Sequence, residues 1–360
     1  MPALRVVADI SGHGFGHLSQ TAAVLDALGE MADVDLVVRT THPQAVVSQF
    51  MATQHRMAPP PPDATMVMTG PSRVDVPATL AAYAALHSDL DAVVAVESER
   101  LAALAPDVVL ANVPYTSLLA ASAANVPSVG YCSLNWYDIL SGYCADWPDA
   151  QPILDAIRRA YQAATVFLRP MPAMPMAWLP RAMSVGPVAR RAASTARPAM
   201  LPTDDDKALV LLSLGGIRSD LSLDSVPALP GVHWIIATQQ QPVERDDVTS
   251  LDDVGAGFLD LLPHVDAIVA KTGYGSFAEA AAFGVRVLYA SRPDWPEAPA
   301  LETWIEENAT AARISQAQLY DGDYAAALQE LLARPRSAPV PASGAQEAAR
   351  CLMELALRSR

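Results

Sequence analysis

The chain has 360 residues, 51% of them hydrophobic and 18% charged, enough to bury large cores and to favour two domains over one. Its net charge of −15 and pI near 4.8 argue against a polyanionic partner such as nucleic acid, whose phosphates are met by Lys and Arg. Three cysteines, Cys132, Cys144 and Cys351, have no CxxC spacing, so they indicate neither a disulfide framework nor a structural zinc site and read as buried thiols.

No charged segment followed by an apolar stretch and a cleavage site opens the chain. Proline or charge interrupts each apolar run before a membrane-spanning length, so the expectation is a cytoplasmic protein with no transmembrane segment. Leu4 to Ile10 is predicted as a strand, His17 to Leu28 as a helix with Ala22, Leu25 and Leu28 on one face, and Val34 to Val38 as a second buried strand. The chain therefore opens with a βαβ unit. Its first turn, Ser11-Gly12-His13-Gly14-Phe15-Gly16-His17, carries three glycines that let backbone approach a ligand and two imidazoles at the mouth of a helix. The glycines are spaced GxGxG, not GxGxxG, and the second strand runs into Arg39-Thr40-Thr41 without an acid, so a dinucleotide site is not indicated. His17 is the candidate general base, with a pKa that the positive end of the helix dipole should lower. His13 is a second candidate, and either ring can instead simply hydrogen-bond the loop.

Prolines 59 to 62 mark a loop, and Ala78 to Leu104 reads as one helical stretch closed by Pro106. Val108 to Ala111, Ser117 to Ala124 and Ser128 to Tyr131 repeat strand, helix, strand, which implies parallel pairing with both sheet faces covered. Tyr131 to Trp147, rich in Tyr, Trp and Asn, suits either stacking on an acceptor or a place in the core. From about Pro170 to Pro202 periodicity fades, marking a domain boundary. Arg158, Arg159, Arg169, Arg181, Arg190, Arg191 and Arg197 occur there or just before it with no acid between them, and read as a solvated linker more readily than as a phosphate-facing patch.

A second α/β series follows. Ala208 to Leu212 is a strand entering Ser213-Leu214-Gly215-Gly216, where the glycines would face a ligand and Arg218 would neutralise a diphosphate or be a plain surface arginine. His233 to Ala237 is a strand, and Ala267 to Ala270 is another, entering Lys271-Thr272-Gly273-Tyr274-Gly275-Ser276. Gly273 and Gly275 free backbone amides ahead of a helix (Phe277 to Phe283), and Ser276 can cap it. Glu279 then either completes a capping box with Ser276 or accepts from ribose hydroxyls. Val285 to Tyr289 is extended and Leu301 to Asn308 helical. Between them, Arg292-Pro293-Asp294-Trp295-Pro296-Glu297 offers two carboxylates, Asp294 and Glu297, and an aromatic face for sugar hydroxyls, or is only a proline-rich loop. Asp321-Gly322-Asp323 has the DxD spacing of metal-dependent sugar transferases but reads as a turn, and Asp204-Asp205-Asp206 as linker, so no metal is expected. Ala345 to Leu357 is a last amphipathic helix.

The GHGFGH stretch from Gly12 to His17, with KTGYGSFAEAAAFGVRVLY from Lys271 to Tyr289, resembles GT-B glycosyltransferases. Within them it is most similar to the glycosyltransferase-like N-terminal region of L-arabinokinases, and more distantly to MurG-type transferases. The resemblance implies an α/β fold of two Rossmann-like doubly wound parallel-sheet domains facing across a cleft: residues 1–185 on the acceptor side, a linker at 186–206, residues 207–340 on the nucleotide-sugar side, and a C-terminal helix at 341–360. It implies that Phe258 meets the base through its backbone, that Gly275 and Ser276 hold the diphosphate, that Glu279 holds the ribose, and that His17 is the base of an inverting transfer. Asn112 stands where many relatives carry a carboxylate that orients the histidine, and Lys271-Thr272 where plant-type relatives carry His-Gly. The implied activity is metal-independent transfer from a nucleoside diphosphate sugar, a UDP-sugar foremost, to a small-molecule or glycan acceptor, with no cofactor beyond the donor. A nucleotide-sugar hydrolase and a non-catalytic binding or regulatory protein are the alternatives.

Overall fold

A computed structural model describes residues 2–70, 73–192, 194–202, 206–215, 221–236 and 245–359. In chain order the first elements are β1 (Leu4–Ile10), α1 (Gly16–Met31), β2 (Val34–Arg39), α2 (Gln44–Phe50), β3 (Arg56–Ala58), α3 (Val76–His87), α4 (Leu90–Leu104), β4 (Val108–Asn112), α5 (Tyr115–Ala123), β5 (Ser128–Tyr131), α6 (Trp136–Cys144), α7 (Gln151–Ala163), β6 (Val166–Pro170) and β7 (Ala182–Val185). There follow β8 (Ala208–Leu212), β9 (Val232–Ile236), β10 (Val248–Ser250), α8 (Leu251–Val254), α9 (Phe258–Leu261), β11 (Ala267–Lys271), α10 (Tyr274–Ala282), β12 (Arg286–Ala290), α11 (Ala298–Asn308), β13 (Ala311–Ile314), α12 (Gln316–Asp321), α13 (Ala325–Ala333) and α14 (Gly344–Arg358).

The chain divides into two units. The first comprises the segment up to Thr69, Arg73–Val188 and the chain from Ser343 onward, and the second includes Ala189–Ala342. The first unit's sheet is ordered β3-β2-β1-β4-β5-β6-β7 and the second's β10-β9-β8-β11-β12-β13, with every pairing between these strands parallel. Both therefore reverse direction beside their first strand, between β1 and β4 and between β8 and β11. That reversal opens a crevice at the strands' carboxyl ends, where doubly wound folds bind ligands. The central strands are near-continuous apolar runs because helices cover both faces: β4 is buried throughout, and Val210, Leu212, Trp234, Val269 and Leu288 belong to the second unit's core.

The single helical stretch expected over 78–104 is two helices, bent by 68° at Ser88–Asp89. Each has its own aspartate cap: Asp75 accepts from Ala78 N at 3.0 Å and Asp89 from Ala92 N at 3.2 Å. Alanine richness hid the second start signal. Among the described residues no single helix is long and apolar enough to cross a membrane, although this bent pair meets the length and composition together. The aperiodic stretch 170–202 contains β7, an edge strand, with Met183 exposed.

One cluster of charge lies inside the first unit. Arg39, only 1% exposed, donates twice to Asp9 at 2.6 Å and once to Glu97 at 2.9 Å, while Glu97 also meets Arg100 at 2.5 Å. Asp321 ends α12 and Gly322 follows at φ +75°, so the DxD triplet is a turn.

Candidate functional site

The switch points place the glycine turns. In the first sheet Ile10 is level with Asn112, and Ser11 N donates to Asn112 O at 2.7 Å, so the glycine–histidine loop leaves β1 directly beside the end of β4. Gly12 is a packing glycine, since a Cβ there would fall 2.0 Å from Thr41 Oγ1. Gly14 has φ +66°, and its carbonyl accepts from His42 Nε2 at 3.1 Å.

His17 is the second residue of α1 and is 4% exposed. The Asn112 amide donates through Nδ2 to His17 O at 3.2 Å, Thr21 Oγ1 at 3.0 Å and Gln20 Oε1 at 3.4 Å. With its nitrogen committed to these acceptors, Asn112 presents Oδ1 to His17 Nδ1 at 2.8 Å, so Nδ1–H donates and the lone pair resides on Nε2. Cys132 Sγ lies 3.5 Å from the same Nδ1. Burial holds the His17 pKa down at about 4, against the opposing Asn112 hydrogen bond. That depression keeps the imidazole neutral near pH 7, with burial as its leading cause.

His13 is part of the same cluster. Trp136 stands with its ring edge-on to both imidazoles, 5.4 Å from His13 and 5.6 Å from His17. Of the aromatics in 131–147, Tyr131 and Trp136 are buried and Trp147 is 40% exposed. Asp63 is a neighbour that sequence reasoning missed. Its Oδ2 accepts from Ser11 Oγ at 2.6 Å, and the proline loop carrying it is pinned where Thr116 Oγ1 donates to Pro62 O at 2.6 Å. Among the described residues, Asp63 Oδ1 and Trp136 Nε1 are buried with no hydrogen-bond partner of good geometry. Burial raises the Asp63 pKa to about 7, opposed by contacts with Ser11 and Trp136 and helped by the nearby Asp9 charge.

In the second unit Ser213 N donates to Val269 O at 2.9 Å, and Gly215 follows at φ +81° with its Cβ direction 3.8 Å from Lys271 Cε. The β8 turn thus comes up against Lys271 at the end of β11. Burial, reinforced by the charge of Arg292, lowers the Lys271 pKa to about 8. Arg292 itself stacks over Trp295, 4.7 Å from the ring centroid. Beneath them Glu302 ties three strand ends together: it accepts from Thr272 Oγ1 at 2.7 Å, Ser291 Oγ at 2.9 Å and Arg292 N at 3.3 Å, with Arg313 at 3.9 Å. Nothing in the spacing of Glu302 signalled that role.

Helix α10 starts earlier than expected, with Gly273 in the N-cap position and no side-chain cap. Ser276 is therefore the third helical residue and does not cap, so the capping box with Glu279 does not form. Glu279, buried, instead accepts from Arg190 Nε at 2.9 Å. Arg190 is therefore an ion-paired residue and not the solvated-linker arginine that the sequence suggests. Apart from its chain neighbours and its own helix backbone, no atom of the described residues lies within 4 Å of the Cβ direction of Gly275. Phe258 begins α9 after the Gly257 cap, Asp294 is exposed in the turn before α11, and Glu297, buried, stands at the N-cap position of that helix without a side-chain cap and accepts from Trp295 Nε1 at 3.2 Å. Gly216 and Arg218, with Asp204 and Asp205, lie outside the described residues.

No protein-family model matches the chain, and no curated protein matches it. Solved structures match along its whole length. The glycotransferase of kitacinnamycin superposes with a TM-score of 0.64 at 17% identity, covering 100% of this chain and 96% of that one. Glycosyltransferase VinC in complex with dTDP gives 0.58 at 18% identity, covering 99% and 100%. UGT2 of Phytolacca americana, complexed with UDP-2-fluoroglucose and pterostilbene, gives 0.59 at 13% identity, covering 99% and 94%. This chain therefore has the GT-B fold of glycosyltransferases.

Proposed function

We propose that this protein is a metal-independent glycosyltransferase that moves a sugar from a nucleoside diphosphate sugar, a UDP-sugar foremost, to an acceptor hydroxyl with inversion at the anomeric carbon. The observation that carries the reading is the histidine at the first switch point, held as the Nδ1–H tautomer by Asn112 with its Nε2 lone pair left to act as base. The acceptor proton passes to Nε2, the acceptor oxygen forms a bond to the anomeric carbon, and the bond from that carbon to the diphosphate oxygen breaks. The diphosphate leaves with the electron pair. Amides at Gly275 and Ser276, with Lys271 or Arg218, stabilise that charge without a metal, while Glu279 holds the ribose and the Phe258 backbone meets the base. The fold likeness to a dTDP complex and a UDP-sugar complex supports a nucleotide-sugar donor.

The test is to incubate the protein with a panel of UDP- and dTDP-sugars, with and without phenolic and sugar alcohols, and to follow nucleotide release and the product's anomeric configuration by NMR. Acceptor-dependent release with inversion is expected; retention, or no release with any donor, would remove the assignment. A second reading, a non-catalytic nucleotide-sugar binder, is favoured by Asn112, a neutral residue that orients the imidazole yet stabilises an imidazolium poorly. Calorimetric binding without turnover would select it.

A further inference from the structure

Arg190 comes from the arginine-bearing stretch that periodicity leaves unassigned, yet it forms an ion pair inside the second unit. Its Nε donates to Glu279 Oε1 at 2.9 Å, with the two side chains 19% and 5% exposed. A carboxylate this deeply buried stays ionised only beside a cation or several donors. The strand of chain that carries Arg190 is itself fixed a few residues on, where Ser194 N donates to Asp260 Oδ1 at 2.9 Å. Asp260 lies in α9, the helix that Phe258 opens, so one segment of chain is tied both to the helix assigned to the base and to the carboxylate assigned to the ribose.

We propose that Arg190 is a positioning residue of the donor site: by pairing with Glu279 it keeps the carboxylate charged and aimed, so that the site selects ribonucleoside over 2′-deoxyribonucleoside diphosphates. The inference rests on the ribose assignment of Glu279 made above. A hydrogen bond from a sugar hydroxyl to an ionised, fixed carboxylate is strong and geometrically demanding, whereas the same hydroxyl against a mobile or protonated one gains little. Loss of Arg190 therefore acts on the ribose hydroxyls and leaves the diphosphate contacts of the β11 turn as they are.

The experiment is calorimetry of the full chain with UDP and with 2′-deoxy-UDP, for the wild type and for Arg190→Gln, Arg190→Lys and Glu279→Ala. The wild type is expected to prefer UDP by about tenfold or more. Arg190→Gln should weaken UDP about tenfold while 2′-deoxy-UDP moves by less than about threefold, so that the preference collapses. Arg190→Lys, which keeps the charge but not the planar geometry, should restore part of it. If Arg190→Gln weakens both nucleotides equally or leaves the preference intact, or if Arg190→Lys restores none of it, Arg190 does not position the carboxylate. The Glu279→Ala variant separates the two levels. A preference that survives in it, or one that is missing in the wild type, overturns the ribose assignment itself; a preference lost there but kept in Arg190→Gln overturns only the role of Arg190.

Discussion

Asn112 decides what His17 can do. Its Oδ1 at 2.8 Å from Nδ1 fixes the tautomer, and its neutrality leaves the imidazole pKa near 4 under the weight of burial. Because that value lies below the ordinary 6.5, the unfolded chain takes up the proton first: the contribution is fully present above pH 6.5 and is lost as pH falls from there towards 4. An Asn112→Asp substitution puts a negative charge at the same place and should raise the His17 pKa by a unit or more, read from imidazole NMR shifts against pH. No change would show that burial alone sets the proton affinity. Asp63 behaves in the opposite sense. Its pKa near 7 means that the folded protein still holds a proton that the unfolded chain releases near 3.8, so the contribution is fully present below pH 3.8 and stability falls as pH rises from there through 7. Asp63→Asn removes the dependence and keeps an acceptor for Ser11. Its stability relative to the wild type, from urea midpoints, should therefore climb by about 2 kcal/mol between pH 5 and pH 8, and a flat difference would contradict the burial of this carboxyl.

At the scale of elements, strands were legible because parallel strands with both faces covered are short apolar runs, and β1, β4, β8 and β11 each sit where such a run occurs. From them the turns carrying His17, Asn112, Lys271 and Gly273 could be placed at carboxyl ends without a structure. What the sequence concealed were partners from elements with no pattern of their own: Asp63 from a proline loop, Arg190 from an aperiodic stretch, and Glu302 from a helix whose inward face reads as ordinary amphipathic spacing. Each acts through a contact between residues far apart in the chain, and no local rule reaches that far. The start of α10 is hidden for a different reason. Gly273 takes the N-cap position without needing a side chain, so the helix begins two residues before the first hydroxyl that looks like a cap. The last helix, α14, packs on α1 and buries a row of small residues, among them Ala345, Ala348 and Ala349. It enters where two glycines cross, a Cβ at Gly344 falling 1.9 Å from Gly186 O. Gly344→Ala must shift main chain and should cost about 2 to 4 kcal/mol in denaturant unfolding; an unchanged midpoint would show that this crossing is loosely held.

Across the molecule the same strand order is used twice, and the two copies divide the chemistry. The first copy presents an imidazole held neutral at its switch point, and the second presents Lys271, with Arg292 nearby, at its own. Lys271 and Arg292 thus stand near one another in a chain with a net charge of −15, and the proposed function sets the diphosphate beside them. The same proposal assigns the acceptor's proton to the imidazole of the first copy. The most direct measurement is the turnover of His17→Ala beside its donor affinity. The account predicts that the variant binds its nucleotide-sugar as the wild type does while transfer falls by about 10²- to 10⁴-fold. Unchanged turnover would take the base out of the mechanism and with it the central claim.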